Sequence, residues 1–371
     1  MKLYEYMAKE LFGKAGIPVP AGRLAFTAQE AADACAELGP VAIKAQVLAG
    51  GRGKAGGIKF ADTPPEAAAA AADLLGMAIR DLAVDRLLCE QKLSIERELY
   101  VGIAVDGTTR RPVLIASVQG GVNIEEVPEK SIVRRRIGVT WGLFGYAARE
   151  VVRRMGLDEP AAGKVVDILL RLYRVFRQYD AELVEINPLV ILTGGEVIAA
   201  DGRCNVDDDA LWRQRDLPQT TEGTELERKV KSLGLSYVEL DGDIAVMANG
   251  AGITMATLDI IQRYGGRPAN FLDAGGGAGV EPMTRALEVL IATKPRAVLV
   301  NIFGGITRCD DVANAIVQAR RTVKTDVPMV VRLSGTNEDE GIEILARDGL
   351  TAYRSMEEAA ARVVALAGEA N

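Results

Sequence analysis

The chain has 371 residues, enough for two or three domains that each bury a core. Hydrophobic residues make up 49% and charged residues 26%, and this ordinary globular balance excludes a disordered chain. A net charge of −7 argues against a general affinity for nucleic acid or anionic membranes, although a local positive pocket can still form in an acidic protein.

The absence of histidine and the wide spacing of the cysteines limit the reactions that the chain can catalyse alone. There is no histidine, so any step that needs imidazole must take it from another chain or do without it. The four cysteines, Cys35, Cys89, Cys204 and Cys309, are far apart and are predicted to be free thiols, with no metal site. No apolar run approaches the roughly 20 residues that span a bilayer, and the N-terminus lacks a signal-peptide layout. We therefore expect a cytoplasmic protein.

The first half of the chain alternates helical patterns with strand-like stretches, which is typical of an α+β arrangement with mostly antiparallel strands. Helices are predicted at residues 2–16, 28–38 and 64–79, and two more within 146–178. Strands are predicted at residues 41–44, 86–91, 98–105, 111–117, 182–186, 189–193 and 196–201, with a turn at Asn187-Pro188. Residues 208–236 are polar and weakly patterned, and we interpret them as a linker.

The second half has a regular rhythm of strand, turn and helix. Strands are predicted at residues 244–248, 269–272, 297–302, 328–333 and 350–354. The crossover helices between them predict a parallel, doubly wound sheet. Ligands of such sheets bind beyond the carboxyl ends of the strands, where the glycine clusters of this half fall. The predicted domains are residues 1–225 and 238–371.

The densest chemical signal is a lysine at a strand end, Lys44, followed by the loop Gly50-Gly51-Arg52-Gly53-Lys54-Ala55-Gly56-Gly57. Glycines let backbone N–H groups approach phosphate oxygens closely, and cations offset the phosphate charge. The loop is not a Walker loop, because the GxxxxGK[ST] order is absent. A solvated loop that uses glycine only to turn needs no interleaved cations, so we interpret this segment as a phosphate site.

A second group of residues offers oxygen ligands. Glu185 and Asn187 are two apart in a predicted strand and so share a face, and we expect Asp201 on the neighbouring hairpin strand. Such hard ligands suit a Mg²⁺ ion that also holds nucleotide phosphates, although a surface hairpin with ordinary acidic residues fits this motif equally well. Glu90 and Glu98 flank a loop, where each could hold a ribose hydroxyl or a metal, or be a solvated edge charge.

Three strand-to-helix turns of the second half carry glycines: Asn249-Gly250-Ala251-Gly252, Asp273-Ala274-Gly275-Gly276-Gly277 and Asn301–Thr307. A helix that begins near Thr307 would present free N–H groups and a positive dipole end, which suits a carboxylate or phosphoryl group. Any doubly wound sheet favours glycine at such turns, and Asp273 and Asp310 oppose an anion. This signal is therefore weaker than the one in the first half.

In this order the motifs resemble the β-subunit family of succinyl-CoA synthetase, from Leu3–Lys9 through the glycine loop and Glu185–Leu189 to Val298–Ile306. The resemblance covers essentially the whole chain. It implies an ATP-grasp domain followed by a flavodoxin-like CoA-ligase domain. It also implies an ADP-forming acid–thiol ligase of the citric acid cycle, which forms succinyl-CoA reversibly from succinate, CoA and ATP through an acyl phosphate. A partner α subunit would carry a phosphohistidine and most of the CoA site, in an αβ or α2β2 assembly.

The resemblance also implies roles for particular residues. It places Glu185 beside the visiting phosphohistidine, and Asn187 and Asp201 on Mg²⁺. Leu93 stands at a nucleotide-contacting position where some relatives have threonine, and Leu48 stands where many have histidine. The implied nucleotide contacts are Lys44, Gly51, Arg52, Gly53, Glu90, Leu93 and Glu98, and the implied carboxylate contacts are Asn249, Gly305, Ile306 and Thr307.

Other functions fit parts of the pattern. A β subunit of a malate–CoA ligase or another dicarboxylate–CoA ligase would carry nearly the same motifs. The absence of histidine counts against the ADP-forming acetate–CoA ligases, in which we expect a histidine in the chain with the ATP-grasp domain. A non-catalytic nucleotide-sensing module could lose its metal ligands without penalty, so the intact set of Lys44, Asn187 and Asp201 argues against it.

Overall fold

The computed structural model describes residues 1–80, 82–218, 220, 223–277 and 279–369. The chain divides into two compact units, Met1–Glu222 and Gly223–Asn371. The domain limits predicted from the sequence, 1–225 and 238–371, stay a proposal. The four cysteines are buried and free of disulfides. In the described part of the chain, no helix combines the length and the apolar character needed to cross a membrane.

The first unit is built from antiparallel sheets and helices. Its helices are α1 (Glu5–Lys14), α2 (Ala28–Leu38), α3 (Pro64–Leu74), α4 (Gly145–Met155) and α5 (Ala161–Gln178). Its strands are β1 (Gly22–Ala25), β2 (Val41–Ala45), β3 (Ile58–Ala61), β4 (Ala78–Ile79), β5 (Leu82–Ala83), β6 (Leu87–Gln91), β7 (Ile95–Asp106), β8 (Arg111–Ser117), β9 (Ile132–Arg136), β10 (Ala181–Leu192), β11 (Val197–Ala199) and β12 (Arg203–Val206). Within the described residues, one sheet has the order β1-β6-β2-β3 and another the order β11-β10-β7-β8-β9, with β12 also on β10.

Two cores hold these layers together. Helix α5 repeats apolar residues at helical spacing, and its buried face, including Leu169 and Leu172, packs in one core with Leu99 and Ile186 of the larger sheet. The small, alanine-rich faces of α2 and α3 pack in the other core with β2 and β6. Helix α2 begins at its capping residue Thr27, whose hydroxyl accepts from the backbone N–H of Glu30 at 3.2 Å.

The turn predicted at Asn187-Pro188 is wrong. β10 runs through both residues and pairs with β7 on either side, with a register shift between Ile186 and Leu189. One extra residue is accommodated there as a bulge, which keeps the pairing while re-aiming side chains. Asp201 is also not on the hairpin strand, because β11 ends at Ala199 and Asp201 lies in the bend before β12. Helix α3 ends at Leu74, five residues before the predicted end.

The second unit is the predicted doubly wound fold. Its helices are α6 (Glu225–Lys231), α7 (Ala251–Arg263), α8 (Val280–Ala292), α9 (Cys309–Val323), α10 (Glu338–Arg347) and α11 (Met356–Glu369). Its strands are β13 (Ser236–Glu239), β14 (Ile244–Ala248), β15 (Asn270–Asp273), β16 (Ala297–Gly304), β17 (Met329–Gly335) and β18 (Ala352–Tyr353). The described sheet has the order β13-β15-β14-β16-β17-β18, with only β13 antiparallel. Every residue of β14 is buried, because helices cover both faces of the sheet.

The linker predicted at residues 208–236 is wrong in its second part. α6 begins with a capping box, in which Thr224 and Glu227 satisfy each other's backbone N–H groups. Val230 and Leu235 are buried in the core of the second unit, and β13 closes the edge of its sheet. The segment is polar because a short helix and an edge strand expose most of their surface.

Candidate functional site

Six charged side chains of the first unit meet in an alternating arrangement, which we call the buried ion cluster: Glu5, Lys9, Lys44, Arg52, Glu90 and Asp201. The Lys9 ammonium lies 2.9 Å from Glu5 and 2.6 Å from Glu90, and the Lys44 ammonium lies 3.0 Å and 2.8 Å from the same two carboxylates. Both lysines also donate to the carbonyl oxygen of Ala200, at 2.7 and 2.5 Å. These four side chains therefore form a closed ring of opposite charges.

Arg52 of the glycine loop extends the cluster. Its Nη1 donates to Glu5 at 2.5 Å and to the carbonyl of Ala45 at 3.1 Å, while Nη2 donates to both carboxylate oxygens of Asp201 at 2.9 and 3.0 Å. The guanidinium is thus held at both ends by carboxylates. This geometry suits arginine, whose planar fork matches carboxylates and phosphates.

Glu5 and Lys44 stay ionised although they are buried. Burial would raise the pKa of the Glu5 carboxyl, but Arg52, Lys44 and Lys9 hold that pKa well below its ordinary value. Burial would lower the pKa of Lys44, but the carboxylates of Glu5, Glu90 and Asp201 raise it above the usual range for lysine. The formal charges of the three basic and three acidic side chains sum to zero.

A cavity of about 310 Å³ opens beside the cluster within the first unit. The predicted site residues that line it are Gly51, Arg52, Gly53, Glu185, Asn187 and Asp201. Lys44 and Glu90 do not line it, but Lys44 contacts the lining residue Glu5, and Glu90 contacts Lys44. The structure therefore brings the glycine loop and the oxygen ligands of β10 to one place.

Two further predicted residues of the first unit, Leu93 and Glu98, do not line the cavity. Leu93 is half-buried in the loop between β6 and β7, and Glu98 is exposed on β7. The Glu98 side chain nevertheless stands directly against Gly121, which does line the cavity. Glu90 lies in β6 and Glu98 in β7, so the two residues flank the loop as predicted.

The segment 121–125 lines the cavity and was not singled out from the sequence. It fixes Asn187, whose Oδ1 accepts from the N–H of Gly121 at 2.8 Å and whose Nδ2 donates to the carbonyl of Val122 at 2.9 Å. The pair Gly120-Gly121 was the only local signal for a close backbone approach here, and it carried no charge or ligand pattern.

Glu185 faces the cavity from β10 and accepts a hydrogen bond from the hydroxyl of Tyr100 at 3.1 Å. Burial raises the pKa of the Glu185 carboxyl, and this outweighs the lowering by the Tyr100 hydroxyl. Burial, followed by the neighbouring carboxylate, also raises the pKa of Tyr100 above its ordinary value. Tyr100 therefore stays a neutral donor that fixes the orientation of Glu185.

In the second unit the predicted residues meet at the carboxyl edge of the sheet. Asn249, after β14, donates from Nδ2 to the carbonyl of Phe303 at 2.9 Å and accepts from its N–H at 2.8 Å. The hydroxyl of buried Thr307 accepts from the N–H of Gly277 at 2.9 Å. Ile306, by contrast, is 86% exposed, so this edge presents an apolar side chain to its surroundings.

The helix expected to begin near Thr307 begins at Cys309, with Arg308 as the capping residue. Its first turn carries Asp310, and the Arg308 guanidinium lowers the pKa of that carboxyl to about 2. The positive end of this helix dipole already faces its own acidic side chains. Asp273 likewise accepts from the N–H groups of Gly250 and Gly275, at 2.5 and 2.7 Å.

Each of the two units matches a known protein family. Residues 2–191 match the ATP-grasp domain family and residues 247–366 match the CoA-ligase family. The ADP-forming succinate–CoA ligase β subunit of Haloarcula marismortui is 46% identical over all of this chain and 99% of that protein. The chain belongs to the family of ADP-forming succinate–CoA ligase β subunits. The β subunit of the same ligase from Methanothermobacter thermautotrophicus is 47% identical over 99% of both chains.

Solved structures agree on the fold. ATP citrate lyase from Methanothrix soehngenii, in complex with citrate and coenzyme A, covers 99% of this chain and 99% of its own, with a TM-score of 0.74 and 19% identity. The family and this likeness confirm the predicted ATP-grasp domain followed by a CoA-ligase domain, and the family confirms that the protein is a ligase.

Proposed function

We propose that the chain is the nucleotide-binding β subunit of an ADP-forming succinate–CoA ligase, which forms succinyl-CoA from succinate, CoA and ATP together with a partner α subunit. One observation of the structure supports this most directly. A single cavity is lined by the glycine loop with Arg52 and by Glu185, Asn187 and Asp201, and Lys44 is tied to the same cluster. Full-length identity of 46–47% to ligase β subunits supports the same reaction.

The nucleotide phosphates would lie against the backbone of Gly51 and Gly53, with the charges of Lys44 and Arg52 beside them. Catalysis of phosphoryl transfer depends mainly on such positioning and charge neutralisation. The ribose and base would extend toward Glu90 on β6, Glu98 on β7 and Leu93 in the loop between these strands.

The residues present fit a Mg²⁺ ion. Mg²⁺ is usually held by one or two carboxylates together with substrate phosphates and water, not by an all-protein cage. Asn187 and Asp201 supply such a partial set, and the described residues contain no group of three His, Cys, Asp or Glu side chains that could hold a metal alone. When bound, Mg²⁺ would neutralise phosphate charge. The chain's own part is to hold the Asn187 amide in place through Gly121 and Val122.

The partner supplies what this chain lacks. Because the sequence contains no histidine, the phosphohistidine that carries the phosphoryl group must belong to the α subunit, and Glu185 would steady it at the cavity. Asn249 and Gly305-Ile306-Thr307 would contact the dicarboxylate, and most of the CoA site would belong to the partner. An αβ or α2β2 assembly and a cytoplasmic location stay predictions from the sequence.

Co-expression with the candidate α subunit tests the proposal. We expect CoA- and Mg²⁺-dependent release of ADP from ATP with succinate, measured against malate and acetate, and no turnover by either chain alone. A preference for malate would assign the chain to a malate–CoA ligase. Turnover by this chain alone, or no turnover of the complex with any acid although ADP binds, would contradict a two-subunit ligase.

A further inference from the structure

Glu5 is the residue on which the cations of the buried ion cluster converge. Its side chain is 1% exposed, and its carboxylate lies within 3.0 Å of Lys9, Lys44 and Arg52. A fourth donor, the Gln46 amide, reaches it at 3.2 Å. No other carboxylate of the cluster contacts all three cations in the described residues.

We propose that Glu5 is a positioning residue of the nucleotide site, which holds the Arg52 guanidinium and the Lys44 ammonium where the phosphates bind. This inference rests on the proposed function, because it takes the phosphate ligand from there. Glu5 comes from α1, outside both the glycine loop and β10, so it ties the N-terminal helix to the site.

The Arg52 guanidinium is held in place by its hydrogen-bond partners and not by its own loop. Arg52 belongs to a loop rich in glycine, and such a loop does not by itself fix a long side chain. Its guanidinium plane is fixed instead by Glu5 and the carbonyl of Ala45 on Nη1 and by Asp201 on Nη2. Asp201 is one of the two proposed metal ligands, and it would turn toward the ion. Glu5 would then be the charged anchor that remains, beside the neutral carbonyl of Ala45.

Glu5 places a carboxylate beside the cavity in which we propose that the phosphates bind. A free carboxylate at the floor of a phosphate cavity would repel the ligand, but this one is shared by three cations and is almost fully buried. Burying a carboxylate is costly unless it is paired and hydrogen-bonded, so a residue that only filled space here would be apolar. The charge of Glu5 therefore serves to orient its partners Lys44 and Arg52.

A rival role for Glu5 is simple charge balance. The cluster sums to zero, so losing Glu5 leaves a positive excess that by itself would strengthen the binding of an anionic nucleotide. Positioning predicts the opposite sign. The two roles also differ in the double variant Glu5→Gln with Lys9→Gln, which restores neutrality without restoring the anchor of Arg52.

The experiment compares three single variants in the co-expressed complex. Glu5→Gln removes the charge, Glu5→Asp keeps it on a shorter side chain, and Glu10→Gln makes the same change on an exposed residue of α1. Binding of Mg²⁺-ADP is measured by titration calorimetry, which needs no turnover. KM and kcat are measured for each substrate, and thermal unfolding reports folding.

We expect Glu5→Gln to weaken ADP binding about tenfold, the effect of losing one hydrogen bond between charged groups. KM for the nucleotide should rise in proportion while KM for succinate and for CoA stays unchanged. Glu5→Asp should recover part of the affinity, Glu10→Gln should match the wild type, and the neutral double variant should stay as weak as Glu5→Gln.

Unchanged or tighter ADP binding by folded Glu5→Gln would overturn the inference, and so would full recovery of affinity in the double variant. A purely structural role would lower the melting temperature and the active fraction but leave the affinity of the folded molecules unchanged. If the wild-type complex bound ADP but turned over no acid, the proposed function would fail instead, while the effect of Glu5 on ADP affinity could still be measured.

Discussion

The two units build their candidate sites from different physical materials. In the first unit the site rests on ionised side chains removed from water, with Glu5, Lys44 and Arg52 each less than a tenth exposed. In the second unit the carboxyl edge of the sheet is held mainly by hydrogen bonds between side chains and backbone, such as those of Asn249 and Thr307. Ion pairs between buried side chains hold the first site in place, whereas hydrogen bonds between side chains and nearby backbone hold the second.

This difference predicts different weaknesses. A buried ion that loses its partner keeps its desolvation cost, so the first site should be sensitive to charge removal. A half-exposed hydrogen bond is replaced by water when it is lost, so the second site should tolerate polar changes better. Where its backbones nearly touch, however, it should not tolerate added atoms.

The largest expected effect is that of Lys44→Met. It leaves Glu5 and Glu90 without one of their shared cations, and breaking a buried ion pair in this way costs about 3–5 kcal/mol. We expect that loss in the free energy of hydrogen exchange of the β2 amides. The control is Lys59→Met, which removes a surface pair with Asp73 worth about 0–1 kcal/mol. Equal costs for the two variants would contradict a buried, interdependent cluster.

Acid should weaken the first unit through Glu5. Lys9, Lys44 and Arg52 hold its folded pKa well below the ordinary value of 4.5, in spite of burial. The unfolded chain then takes up this proton at higher pH than the folded one. The stabilisation is therefore complete above about pH 4.5 and is lost as the pH falls through the folded pKa.

The measurement is hydrogen exchange of β2 and of β14 between pH 6 and 3, corrected for the intrinsic exchange rate. Protection of β2 should fall more steeply with acid than that of β14, and Glu5→Gln should flatten the β2 profile. In the second unit, Arg308 lowers the pKa of Asp310 to about 2, but the Arg308 side chain is exposed to solvent, which screens the pair. Parallel profiles for the two strands in the wild type would break the comparison.

Much of the second unit was predictable because its signals are local. Each buried strand is followed by a glycine turn and an amphipathic helix, so β14–β18 were found in order. Thr307, near which an anion site was expected, precedes α9 by two residues, and its hydroxyl accepts from the backbone N–H of Gly277 instead. β13 was missed because an antiparallel edge strand with exposed residues has no core-like pattern.

The first unit was harder because its site is assembled by non-local contacts. The glycine loop with Lys44 carried a local signal, and it does lie against Asp201. Glu5 and Lys9 belong to a motif that carries the resemblance, but they gave no signal for a buried charge site, since an i, i+4 pair of opposite charge on a helix is ordinarily exposed. Their burial depends on Glu90, 81 residues after Lys9 along the chain.

In the second unit, Gly335→Ala tests the importance of close backbone approach. Gly335 has φ +113°, which side-chain-bearing residues rarely adopt, and a Cβ there would collide with the carbonyl of Gly304 on the paired strand. We expect the free energy of unfolding to fall by about 2–3 kcal/mol. Hydrogen exchange of the β16 amides measures this loss. Gly305→Ala is the control, because its Cβ would meet no atom within 4 Å. A neutral Gly335→Ala would show that this edge can relax.

The smallest expected effect is that of Asn249→Ala. It removes both hydrogen bonds to the backbone of Phe303, which is 58% exposed, so water can replace the lost partner. The expected loss is therefore about 1 kcal/mol in the exchange free energy of β14 and β16. Asn314→Ala, an exposed change within α9, should cost nothing or stabilise slightly, since alanine is the better helix former. A cost for Asn249→Ala as large as that of Lys44→Met would mean that the second edge, too, depends on polar groups that water cannot reach.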